Sequence, residues 1–135
     1  MSELPPAKFL DANLHNYINC ATIPSPVEGI RVQVELPENV MAGALITLTS
    51  QACQGLDGTN PIAGTDAEFT VKVTSPITFA DFNISPYSTT IKPIGEFGSL
   101  LESWTITQPD GSIVQSPPSL VKVAIGVPGG GTCPE

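Results

Sequence analysis

Hydrophobic residues fall on alternate positions through much of this chain. Ile30, Val32, Val34 and Leu36 alternate with Arg31, Gln33 and Glu35, a period of two that predicts a strand with one buried face. Pro37 ends that run, and Glu38-Asn39 turns the chain. Residues 44–53 (ALITLTSQAC) read as a second, Thr-rich strand with Ile46 and Leu48 on one face. Across 67–74, Phe69, Val71 and Val73 alternate with Glu68, Thr70, Lys72 and Thr74, a third strand. Ile77 and Phe79 share one parity while Phe82 and Ile84 share the other. A bulge or corner near Ala80-Asp81 is therefore expected, since one extra residue swaps the inward face.

Leu100, Trp104 and Ile106 lie on one side of segment 99–107, but Glu102 falls on that same side. An unpaired carboxylate is costly to bury, which places the start of the regular strand near Ser103. Pro109-Asp110-Gly111 is a hairpin turn signal, because Gly takes positive φ at little cost and Asp-Gly is a favoured pair. Ile113 and Val114 begin the return strand, and Pro117-Pro118 interrupts it. Proline lacks the ladder donor, so the interruption marks an edge or a crossing between sheets. Val121, Val123, Ile125 and Val127 form the last strand before the tail PGGGTCPE.

The N-terminus differs. Phe9, Leu10, Asn13, Leu14 and Tyr17 have roughly helical spacing, but Pro5 and Pro6 confine any helix to a few turns. The expected organisation is an arm or short helix over 1–16, a β domain over 17–127 and a Gly-rich tail over 128–135. Seven or eight short strands at roughly ten-residue spacing predict a Greek-key sandwich or small barrel. The single Trp is expected to anchor its core.

Composition narrows the partners. The formal charge is −8, from 13 acids against five bases, and Lys8, Arg31, Lys72, Lys92 and Lys122 are scattered singly. No basic stripe can displace counterions from a phosphate backbone, so neither nucleic acid nor an anionic membrane surface is an expected partner. No apolar run reaches the roughly eighteen residues of a membrane span, and membrane insertion is not expected. MSELPPAKFLDANLH lacks the basic start and continuous apolar stretch of a signal peptide. An extracellular, cell-surface or particle-associated location is nevertheless favoured.

The residues that carry chemistry are few. Cys20, Cys53 and Cys133 have no C-x-x-C spacing, and one His makes a zinc site hard to assemble. Two readings stand: three unlinked thiols, or one disulfide with a buried thiol. Among pairs, Cys20–Cys133 is favoured because first and last strands neighbour each other in many sandwiches. The lone His15 has no acid beside it in a recognisable motif, and Cys53 sits among uncharged residues that would not lower its pKa. Gly129-Gly130-Gly131 leads to the chain end instead of a helix and Lys, so it reads as a flexible linker and not a phosphate cradle. Asp57, Asp66 and Glu68 flank one loop as carboxylates for glycoside chemistry, with no sign that two converge. In the same loop Asp57, Asn60 and Asp66 offer oxygen ligands for Ca²⁺, without EF-hand spacing. Tyr87 and Phe97 are the aromatics in loop-like context that are expected to be exposed for binding. No catalytic set and no cofactor are expected.

The order of segments also resembles a known type of module. GIRVQVELPENVMAGALITLTSQ, the loop GLDGTNPIAGT, then IKPIG, GSLLESWTITQPDGS and GGGTCPE are similar to a repeat of large bacterial surface and secreted proteins. The similarity runs from about Ile23 to Cys133. It implies an immunoglobulin-like Greek-key β-sandwich and a non-catalytic role in structural presentation, adhesion or protein–protein binding at a cell or particle surface. This chain departs from the repeat in lacking an aromatic where Ala52-Cys53 stands, and in showing a single module. The second departure leaves room for a phage or phage-tail-like assembly or decoration component. A carbohydrate-binding, lectin-like domain is the further alternative, and a protein partner or self-association is expected in the first two cases.

Overall fold

The computed structural model describes residues 4–75 and 77–134. Residues 1–3 of the expected arm and Glu135 of the expected tail lie outside the described residues. The chain is mostly β, 42% strand and 8% helical, with nine strands in two sheets among the described residues. The small sheet has the order β1 (Lys8–Phe9), β3 (Ile30–Glu35), β6 (Phe79–Ile84), all antiparallel. The large sheet runs β2 (Tyr17–Asn19), β9 (Ser119–Ala124), β7 (Phe97–Thr107), β4 (Leu45–Cys53), β5 (Ala67–Lys72), and β8 (Ile113–Gln115) also pairs with β7. Only β2 against β9 is parallel in that sheet.

Alternation explains the layers. Ile30, Val32 and Val34 point inward from β3, as Ala80, Phe82 and Ile84 do from β6. Ile46, Leu48 and Ala52 of β4, Leu100, Trp104 and Ile106 of β7, and Val121 and Val123 of β9 join the same core. Each Val, Leu, Ile or Phe among them contributes roughly 1.5–3 kcal/mol by leaving water. The register of β6 on β3 is continuous from Ile30↔Ile84 to Glu35↔Phe79. The expected bulge near Ala80-Asp81 is therefore absent, and Phe79 faces outward at 47% exposure.

Residues 4–16 form no helix. The chain instead lays β1 on the small sheet and crosses to the large one as β2, burying Leu4, Ala7 and Ile18 on the way. The Trp104 indole, fully buried, donates through Nε1 to the Pro5 carbonyl at 2.8 Å. Indole needs such an acceptor once dry, and here it binds the arm to the central strand. Opposite Trp104 the two prolines break the return strand into β8 and β9, and Ser116 bridges the gap. Its hydroxyl accepts from Trp104 N–H at 2.9 Å while its own N–H donates to the Trp104 carbonyl.

Strand β7 does not start at Ser103. It runs from Phe97, and Glu102 sits in its middle, fully buried. Pairing on both flanks explains the difference: residues 97–102 are bonded to β9 and residues 99–107 to β4, and breaking both ladders would orphan many backbone groups.

Candidate functional site

The outer face of the small sheet carries a concavity. Its residues alternate with the core: Arg31, Gln33 and Glu35 on β3 stand opposite Asn83, Asp81 and Phe79 on β6. A groove of about 510 Å³ lies over Arg31, Gln33, Asp81 and Asn83, walled by Leu10, Pro24 and Glu28. A second hollow of about 300 Å³ adjoins it, shares Gln33, and is walled by Pro5, Pro6, Lys8 and Phe79.

The polar groups of the groove are held in place by one another. Arg31 grips Asp11 with two bonds, Nε to Oδ2 at 2.9 Å and Nη2 to Oδ1 at 2.5 Å. The bond and charge of Asp11 raise the Arg31 pKa further, and the fork geometry fixes the guanidinium. The Asp11 side chain is only 6% exposed, so the pair nails the turn after β1 to the sheet. Gln33 Nε2 donates to Asp81 Oδ1 at 3.0 Å, and Asn83 Nδ2 donates to the Glu28 carbonyl at 3.2 Å. Gly29 lies beneath the Asn83 amide at φ +113°, and a Cβ there would collide with that side chain. The result is a row of planar amides and carboxylates in fixed orientation, with exposed Leu10 and Phe79 beside it. Such a surface makes hydrogen bonds and apolar contacts.

The residues singled out from the sequence lie elsewhere. Cys20 and Cys133 are joined in a disulfide with Cα atoms 5.4 Å apart. It closes a loop spanning 113 positions, a constraint of roughly 4–5 kcal/mol in the chain-entropy account. The tail reaches Cys20 because Gly129, Gly130 and Gly131 all take positive φ, and Gly126 bridges Thr132. The glycine run is thus a turn, in place of the expected flexible linker, and bulkier residues would be strained there.

Cys53 is a buried free thiol whose pKa burial raises. His15 is exposed in the turn before β2. In the 54–66 loop the Thr59 hydroxyl donates to Asp57 Oδ1 at 2.6 Å and holds that carboxyl below its usual range. Asn60 takes φ 55°, and its carbonyl accepts from Gln54 N–H at 2.9 Å. Asp66 is exposed before β5, as is Glu68 on it. Among the described residues no three His, Cys, Asp or Glu side chains gather as metal ligands. Phe97 is 57% exposed, whereas Tyr87, expected on the surface, is buried at the start of α1 (Tyr87–Thr90). A Pro-bounded turn of helix draws its ring into the core.

From the sequence, Arg31 and Gln33 entered only as the polar alternates of a strand and Asp81 only at the expected bulge, and Asn83 was not singled out. Their one signal was alternation, which tells outward from inward but not which outward residues share a surface. No family model matches this chain, and no curated protein or solved structure matches it.

Proposed function

We propose that this domain is a non-catalytic immunoglobulin-like module that binds a protein partner through the outer face of its small sheet, at a cell or particle surface. The observation that carries this is the pair of adjoining hollows over Gln33, in which rigidly held polar groups frame exposed Leu10 and Phe79. Preorganised polar groups around an apolar contact reduce the ordering that binding requires.

Strand order supports the fold reading. Lettered along the chain, β1, β3 and β6 follow the A, B and E strands of such modules, and β9, β7, β4 and β5 follow G, F, C and C′. Two features differ from antibody domains: the Trp lies on β7, and the disulfide joins the end of β2 to the tail.

The test is capture of a partner from the native surface or particle fraction by the immobilised domain, compared with Asp81→Arg and Phe79→Glu. Far-ultraviolet circular dichroism would show that the variants fold. A partner held by the native domain and by Phe97→Glu, but lost with both groove variants, supports the assignment. A partner indifferent to the groove changes overturns it. Glycan binding that Phe79→Ala abolishes would replace the protein ligand by a carbohydrate.

A further inference from the structure

The middle of the large sheet holds a polar row that nothing on the outer face explains. Glu102 of β7 is flanked in register by Ser50 of β4 on one side and Ser119 of β9 on the other. Glu102 and Ser50 are fully buried. Both Glu102 carboxyl oxygens and both serine hydroxyls are dry and lack a hydrogen-bond partner. The next inward positions on β7 are Leu100 and Trp104, and those on β4 are Leu48 and Ala52. An ionised carboxylate in that setting has lost its water and gained no compensating charge.

Among the described residues its surroundings contain no counter-ion. Besides Ser50 and Ser119, β4 and β9 present Ile46, Leu48, Ala52, Val121 and Val123 inward. The opposite sheet presents Ile30, Val32, Val34, Ala80, Phe82 and Ile84. The other titratable groups buried in the interior are the Tyr87 hydroxyl on α1 and the Cys53 thiol at the end of β4. Asp11, the other deeply placed carboxylate, is spoken for by Arg31. Among the described residues Glu102 is the one fully buried side chain able to carry a full negative charge near neutral pH.

We propose that the Ser50–Glu102–Ser119 row is an acid-stabilised lock, in which the sandwich folds around Glu102 as a neutral carboxylic acid and weakens as that acid loses its proton. Burial pushes the Glu102 pKa well above the carboxylate range, against a small opposing influence of the Ser50 hydroxyl, which lies near without reaching bonding geometry. The folded state therefore holds a proton that the unfolded chain has released. The contribution of Glu102 to stability is greatest below its unfolded pKa near 4.5 and declines as pH rises from there through the folded pKa, where the decline levels off. The lock favours the closed domain in mildly acidic surroundings and loosens it toward neutral and alkaline pH.

Urea unfolding between about pH 5 and pH 8, followed by fluorescence of the single, buried Trp104, reads this directly. His15, exposed in the arm, is changed to Gln in every sample so that its proton does not enter the slope. The folding equilibrium constant of the native row is expected to fall by up to about tenfold per pH unit, and Glu102→Gln is expected to lose that slope. Infrared spectroscopy at about pH 6 is expected to show a protonated-carboxyl band that Glu102→Gln lacks. Should that variant not fold, Glu102→Leu and the native spectrum carry the test. Native stability that is flat or rises over this range, a slope surviving both substitutions, or absence of the band would each overturn the lock.

Discussion

Among the described residues two carboxylates have been taken out of water, and they are treated in opposite ways. Asp11 lies at the turn after β1 with its side chain 6% exposed, and it receives a bidentate grip from Arg31. Glu102 lies at the centre of the large sheet, wholly buried, with neither oxygen bonded. Arg31 reaches Asp11 because β3 presents it on an outer face that is half open to water, where a guanidinium keeps much of its hydration. No such cation can approach Glu102 without itself being dried, and the two serines beside it bring hydroxyls but no charge. The difference teaches that depth decides the remedy: near the surface a carboxylate is met by a guanidinium partner, and in the core it is kept neutral by its proton.

That contrast can be broken or sharpened by substitution. The largest effect is expected from Glu102→Leu, which removes the acid and leaves an apolar row. Near pH 8 this variant should be more stable than the native chain by roughly 1–4 kcal/mol, with the gain shrinking toward pH 5. Urea midpoints at the two pH values measure it.

Next comes Ser50→Ala with Ser119→Ala, which removes two buried, unbonded hydroxyls. Because an unmade bond is lost with each group, stability should change little or rise by up to about 1 kcal/mol per site, again in urea titrations. Arg31→Met should act in the other direction, destabilising the domain at neutral pH by stranding Asp11. Its effect should be smaller in 1 M salt, since the guanidinium is half exposed and its attraction is screened. Thermal melts at low and high salt would show this.

The smallest effect lies at the hairpin turn. Asp110 accepts from the backbone N–H and the hydroxyl of Ser112, at 2.9 and 2.7 Å, and these bonds hold its carboxyl below the usual range. A depressed folded pKa stabilises the domain above the unfolded pKa, and that contribution is lost as pH falls through about 4 and below. Asp110→Ala should therefore lower the melting temperature slightly at pH 7 and not at pH 3. The sign of this pH dependence is the reverse of that expected for Glu102.

The strand at β3 was legible because apolar and polar residues alternate along it without a break, and β4 and β9 follow the same pattern with interruptions, among them Leu45-Ile46, Ser50 and Leu120-Val121. Glu102 misled for the same reason: on energetic grounds a carboxylate at an inward position argues against a strand. The ladders of β4 and β9 on either side outweighed that local penalty, and protonation lowered it. Phe79 misled in a simpler way. As a large apolar residue it was counted inward, yet the β3–β6 register puts it outside, beside the groove. Tyr87 is the mirror case, a polar-tipped aromatic after a proline that reads as surface and is buried.

Read alone, the amino-acid order determined that this chain is built of short strands in layers, because alternation and turn chemistry act over a few neighbouring residues. It also determined the formal charge of −8, since charge is a sum over positions. Only the tertiary structure decided that Gln33 faces Asp81 and that Glu102 lies between Ser50 and Ser119. Both arrangements depend on pairing between strands some fifty residues apart in the chain, and a buried acid or a shared groove exists only once those strands have met.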